Sequence, residues 1–268
     1  MVKLFLTSFI LMLAPLMVYT QTILKPNAKV TYKIKLNLEE SSLGLYEGTL
    51  VYDADQSIFI WNKSRDQFLD SYANKKIYIE NNTMLGEINH VNYRDKTLTS
   101  LAKVDCVEER YLVAEELPQL EWNITKETRK ILGYKATKAT TFFRGRDYEA
   151  WFAVQIPFRM GPWKLQGLPG LILEVYDTDM KVLFTIDKIE NGKDVYSVKD
   201  KFKGETIDLI TYYTMYVNAP FEAQERENAR NKNGGFMSIT AVDYNFLEKS
   251  YEYLVKEREE QVKNKRHK

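Results

Sequence analysis

The chain has 268 residues, with 38 Lys and Arg against 37 Asp and Glu, so no overall field favours nucleic acid or an anionic membrane. Charged residues at 28% and hydrophobic residues at 44% give a globular balance that excludes a disordered or fibrous chain. Two histidines and one cysteine exclude a histidine-rich or cysteine-based metal cluster and any internal disulfide.

Met1-Val2-Lys3 carries one positive charge, Leu4 to Val18 is almost wholly apolar, and Tyr19-Thr20-Gln21 ends the run. That charged, apolar, polar order is expected of a cleaved secretory signal over residues 1–20, and the run is too short and one-sided for a confident membrane span. The mature protein is therefore expected in the periplasm or outside the cell. Cys106 stands alone and is expected to be a buried apolar residue rather than a reactive thiol.

From Lys29, the residues Val30, Tyr32, Ile34, Leu36 and Leu38 alternate with polar ones, the period of a half-buried strand. Short stretches of similar character follow at 45–52, 57–61, 76–79, 97–104 and 111–114, separated by Asn, Asp, Gly and Ser. Their spacing, without helical segments between them, predicts a meandering antiparallel sheet. Trp122-Asn123-Ile124 and Thr128 to Leu132 read as two short strands. Lys135 to Phe143 and Tyr148 to Val154 read as a hairpin across Arg144-Gly145-Arg146-Asp147, with Gly145 at positive φ. A link rich in Pro and Gly follows, and then a second hairpin, 171–177 with 181–189.

Past Gly204 the pattern changes. Glu222 to Lys232 is compatible with a helix and Gly234-Gly235 breaks it. Asp243 can then cap a closing helix with Tyr244, Leu247, Tyr251 and Leu254 on one stripe. The expected organisation is a signal peptide at 1–20, an antiparallel β domain at 21–210 and a helical C-terminal extension at 211–268 packed on that domain.

In Leu168-Pro169-Gly170-Leu171, Pro169 presets the first central φ and Gly170 offers a positive second one, the residue order of a type II turn. The strand it launches is apolar on both sides at its start, which predicts a central or covered position. Gly167-Leu168-Pro169-Gly170-Leu171-Ile172 resembles the signature of the GLPGLI family of Bacteroidetes exported proteins. Trp122-Asn123-Ile124-Thr125-Lys126-Glu127-Thr128, Gly133-Tyr134, Gly145 to Phe152, Ile156-Pro157 and Gly161-Pro162 resemble that family's preceding blocks. The resemblance implies a periplasmic or outer-membrane-associated protein, often encoded near TonB-dependent transport components, with an outer-membrane TonB-dependent transport component as a candidate partner, and it implies no activity. A mainly β fold is expected, a curved antiparallel sheet or partly open barrel with C-terminal helices. The barrel form is drawn by analogy with periplasmic lipoprotein-carrier folds.

Little catalytic chemistry is available. A Ser-His-Asp or Cys-His arrangement would have to use His90, which follows Asn89 in an expected loop. Glu149 and Glu174 are the one carboxylate pair on strands that could neighbour each other, as a hydrolase would need. The competing reading leaves Glu149 solvated and either pairs Glu174 with Arg146 or Lys164 or sets it at a sheet edge. Asp177-Thr178-Asp179 offers alternate acidic oxygens, which a tight turn explains as well as calcium does. Arg144, Arg146, Arg159 and Lys164, with Trp151 and Trp163, are the candidate binding residues, since arginine and aromatic side chains together suit an anion or lipid headgroup. The expected function is an envelope binding or interaction protein with no cofactor, taking an apolar small-molecule or lipid ligand or docking a membrane partner. A hydrolase using Glu149 and Glu174 and a purely structural component are the alternatives.

Overall fold

The computed structural model describes residues 23–24, 27–39, 42–63, 88–104, 110–192, 196–197, 204–230 and 248–251. The expected signal segment, the strand at 76–79, Cys106, His267 and all of the expected closing helix except 248–251 lie outside the described residues.

Alternating β-branched, aromatic and polar residues build strand after strand. β1 (Ile23–Leu24) is short; β2 (Ala28–Glu39), β3 (Ser42–Tyr52), β4 (Gln56–Lys63), β5 (Ile88–Asn92), β6 (Thr97–Lys103) and β7 (Arg110–Glu116) then form one antiparallel meander. A second meander comprises β8 (Asn123–Ile131), β9 (Tyr134–Phe143), β10 (Arg146–Ala153), β11 (Leu171–Asp177) and β12 (Val182–Asn191). Antiparallel pairing of β12 with β2 fuses the two into one sheet. Among the described residues, β13 (Tyr196–Ser197) pairs only with β1, and β14 (Glu205–Asp208) adds parallel to β7. The resulting 12-stranded order is β14-β7-β6-β5-β4-β3-β2-β12-β11-β10-β9-β8.

The sheet must be rolled. β7 and β8 are ten strand spacings apart in that order, about 48 Å if the sheet were flat. The segment joining them is residues 117–122, which reaches at most about 25 Å when fully extended. The mainly β architecture expected from the strand spacing, and the curvature expected by analogy, are therefore both observed. The concave side is filled by the chain itself: Met160, Trp163, Leu165 and Leu168 pack with Tyr32, Phe59, Phe152 and Phe184 in the main core. A satellite core of Leu24, Val51 and Ile58 lies where β1 packs beside β3 and β4.

Two hairpins close with type I′ turns, the form whose twist matches the strands. Leu132-Gly133 has φ of 48° and 83°, and Arg144-Gly145 has 52° and 82°. The positive φ read for Gly145 is present. Other expectations are corrected. His90 is in the middle of β5 rather than in a loop. The two short strands expected around Ile124 and Thr128 are one strand, β8, with a register irregularity between those residues.

Helix α1 (Leu209–Arg230) begins thirteen residues before the expected helix at Glu222. Asp208 caps it: Thr211 N–H donates to Oδ1 at 2.9 Å and the Thr211 hydroxyl to Oδ2 at 2.6 Å. Leu209, Tyr212, Tyr213, Tyr216 and Val217 pack with Ala102, Val104 and Val113 of β6, β7 and their connection.

The Leu168-Pro169-Gly170 turn also differs from expectation. The positive φ, 100°, belongs to Gly167, and Gly170 is not in the left-handed region. Gly170 is needed for closeness instead, because a Cβ there would meet the Ala153 carbonyl oxygen at 2.2 Å. The Tyr32 hydroxyl donates to the Ile172 carbonyl at 2.6 Å and Ile172 N–H to the Met160 carbonyl at 3.1 Å. The apolar strand is thus held by β2 and by the Pro-Gly link, and the stretch is architectural.

Candidate functional site

The six residues expected to bind a ligand do not form one surface. Arg146 and Asp177 make a buried ion pair of 2.7 Å, with side chains 3% and 2% exposed. Asp177 also accepts from the Lys181 and Val182 amides at 2.7 and 2.8 Å, so its oxygens staple the β11–β12 turn. Trp163 is buried with φ 57° and meets Phe143 edge-on at 5.8 Å. Arg159 is exposed and makes no ion pair among the described residues.

Lys164 and Arg144 come together at the rim of the roll. Lys164 Nζ lies 2.5 Å from Glu115 Oε1 on β7 and 2.8 Å from Glu248 Oε1. Arg144 pairs with the other Glu115 oxygen, and its Nη1 donates to the Tyr251 hydroxyl at 2.6 Å. Burial alone would lower the pKa of both cations, but Glu248 and Glu115 outweigh it and raise both. This cluster ties β7 to the β9–β10 turn across the closed side of the sheet.

The outer face of β8–β11 carries the second polar assembly. Strand register places Glu149 opposite Tyr176 and Trp151 opposite Glu174, so the two carboxylates are diagonal neighbours on one face. Glu149 Oε2 lies 2.8 Å from Lys138 Nζ, and its Oε1 accepts from Trp151 Nε1 at 3.1 Å and from the Tyr176 hydroxyl. Lys138 reaches on to Glu127 at 3.4 Å. Glu174 is held by Arg129, whose guanidinium lies 4.1 Å over the Trp151 ring. Burial pushes the Glu149 carboxyl up, but Lys138, Tyr176 and Trp151 together bring it below its ordinary value. Glu149 is thus ionised at neutral pH and has no proton to give as a general acid. The pairing of Glu174 with Arg146 or Lys164, expected as the bland alternative, is replaced by pairing with Arg129.

Arg129, Lys138 and Tyr176 were not singled out in the sequence. Only the pairing of β8 with β9 and of β9 with β10 brings these cations to Glu149 and Glu174. His90 is likewise occupied: its Nε2 is 3.0 Å from Gln56 Oε1, and burial lowers its pKa to about 4 despite Asp53 nearby. Among the described residues, no group of three or more His, Cys, Asp or Glu could hold a metal ion.

The sequence matches the family described as "N-glycanase peptide, N-terminal domain" over residues 41–214. The chain belongs to this N-glycanase N-terminal domain family. That match overturns the resemblance to the GLPGLI family, for which there is no accompanying match. The physical reason is visible in the fold. The six letters encode a left-handed Gly167 and a close backbone approach at Gly170, requirements of one turn-to-strand junction.

Among solved structures, PNGF-II in one crystal form is similar with a TM-score of 0.50 and 17% identity, over 72% of this chain and 34% of that one. A second crystal form of PNGF-II gives 0.49 and 18%, over 74% and 33%. A LolA-superfamily protein from Nitrosomonas europaea gives 0.29 and 9%, over 67% and 91%. At these identities, the PNGF-II likeness at 0.50 shows the fold alone. The chain spans about a third of the length of the PNGF-II chain it matches. No curated protein matches the chain.

Proposed function

We infer that this member of the N-glycanase N-terminal domain family is a non-catalytic recognition domain for N-glycosylated polypeptide, acting through the outer face of β8–β11. The observation that carries the reading is the lattice of Arg129, Lys138, Glu149, Trp151, Glu174 and Tyr176. Sugar hydroxyls both donate and accept, and they are recognised by planar, pre-oriented polar side chains beside aromatic ones. Here each carboxylate is held by a cation, and Trp151, itself only 7% exposed, is fixed beneath Arg129, so the polar groups at the surface need little ordering on binding. The same pairings remove the free acid and base that glycan hydrolysis requires, which disfavours the hydrolase reading of Glu149 and Glu174. An apolar ligand inside the roll is disfavoured because Met160, Trp163, Leu165 and Leu168 occupy that space. Export to the cell envelope remains part of the proposal, supported by the residue order at 1–20.

Calorimetric titration of an N-glycosylated peptide and of the same peptide without its glycan tests the reading. Mass spectrometry of the recovered peptide is run alongside. The glycosylated form is expected to bind at least tenfold more tightly and to be recovered intact. Equal binding of the two forms, or release of the glycan, would contradict it.

A further inference from the structure

Residues 248–251 pack on the β domain through both side chains and backbone. Glu248 enters the rim cluster, its Oε1 2.8 Å from Lys164 Nζ and its Oε2 3.7 Å from Arg144 Nε. The backbone of Lys249 and Ser250 crosses Gly145, where a Cβ would meet Lys249 Cβ at 2.7 Å and Ser250 N at 3.0 Å. The Ser250 amide donates to the Arg144 carbonyl at 3.3 Å. Lys249 Nζ reaches Asp179 Oδ2 at 3.5 Å. The Tyr251 ring stacks on Tyr213 at 4.2 Å and 15°, and its hydroxyl accepts from Arg144. Four consecutive residues therefore contribute a carboxylate, two backbone contacts and an aromatic ring to one continuous surface.

That surface belongs to the rest of the fold. Arg144 and Gly145 are fixed by a type I′ turn, Lys164 follows a Trp163 locked at φ 57°, Glu115 is on β7 and Tyr213 is on α1. Without Glu248, the buried Lys164 and the partly buried Arg144 face one carboxylate, a deficit that calls for a second anion. We propose that Arg144, Lys164, Gly145 and Tyr213 form a recognition site for a Glu-x-x-Tyr peptide, occupied here by the chain's own residues 248–251. The Lys164 ammonium at 2.8 Å, with the Arg144 guanidinium at 3.7 Å, selects the carboxylate, and Arg144 Nη1 meets the tyrosine hydroxyl. The Tyr213 face selects the aromatic ring three positions on, and Gly145 allows the backbone between them to pass.

The test uses the full chain. A labelled synthetic peptide of residues 246–253 is titrated into the wild type and into a Glu248→Ala/Tyr251→Ala variant, with anisotropy as the readout. Saturable binding to the variant, at least tenfold tighter than to the wild type and lost when the peptide carries Gln for Glu248, is the expected result. No saturable binding to the folded variant overturns the proposal, as does equal binding to both proteins or undiminished binding of the Gln peptide. If the double variant does not fold, Tyr251→Ala alone is melted with and without peptide. A peptide-dependent rise in its midpoint then supports the site, and an unchanged midpoint overturns it.

Discussion

Gly170 and Gly167 are both glycines for reasons of backbone, but for different ones. At Gly170, the atoms facing a new Cβ are the Ala153 carbonyl oxygen at 2.2 Å, its carbon at 2.6 Å and Val154 Cα at 2.9 Å, none of which can swing away. Gly170→Ala is expected to cost about 3 kcal/mol through displaced backbone. At Gly167, the nearest atom is Trp122 Nε1 at 3.8 Å, so Gly167→Ala meets only its φ of 100° and should cost about 1 kcal/mol. Denaturant unfolding of the two variants checks the order, and a larger loss at Gly167 would contradict the close-approach reading.

His90 supplies a pH dependence. Its pKa is about 4 in the fold and near 6.5 in the unfolded chain. The unfolded chain therefore binds the proton first, and the stability from neutral His90 is complete above about pH 6.5 and lost as pH falls towards 4. By pH 5 the loss should reach about 2 kcal/mol, and a folded His90→Asn variant should lack that component in urea melts at pH 7 and 5. The oddity of Glu174 inside an apolar strand was legible from the sequence. Its partner was not, because Arg129 is 45 residues away and reaches it only through the pairing of four strands.

Strands and turns were the most readable elements, since a period of two and a glycine at a φ-positive turn are local signals. β2, β3, β10 and β11 follow from alternation, and the Arg144-Gly145 turn follows from its glycine. α1 was unreadable at its start for an equally physical reason. Leu209 to Val217 is rich in β-branched and aromatic residues whose local preference is for strand. Packing of Leu209, Tyr212, Tyr213, Tyr216 and Val217 with Ala102, Val104 and Val113 overrides that preference, and Asp208 sets the first turn. Asp208→Ala should lower the melting midpoint, whereas Asp208→Ser should retain most of it because a hydroxyl can still accept from the Thr211 amide. Equal midpoints for the two variants would remove the cap from the explanation.

Closure of the roll depends on contacts between segments that are remote along the sheet. Residues 117–122 cross the closed side, held where Gln166 Nε2 donates to the Pro118 carbonyl at 2.7 Å and Trp122 Nε1 to the Gln166 carbonyl at 2.8 Å. Glu115 joins Lys164 and Arg144 nearby. Removing one member of a buried ion cluster leaves a charge without its partner, so Glu115→Gln should cost about 3 kcal/mol or more. Glu174→Gln, whose Arg129 partner is 40% exposed, should cost about 1 kcal/mol or less. Similar losses for the two would contradict the assignment of Glu115 as the closing contact. These closing contacts could not be read from the sequence, because Gln166 lies 48 residues from Pro118 and Lys164 lies 49 from Glu115.

The most direct measurement is backbone hydrogen exchange of the full chain with and without an N-glycosylated peptide. If the outer lattice is the recognition surface, slowed exchange should be confined to β8, β9, β10 and β11, and Trp151→Ala should abolish it while the glycan stays attached. Protection elsewhere, no protection at saturating peptide, or a peptide recovered without its glycan would contradict the assignment.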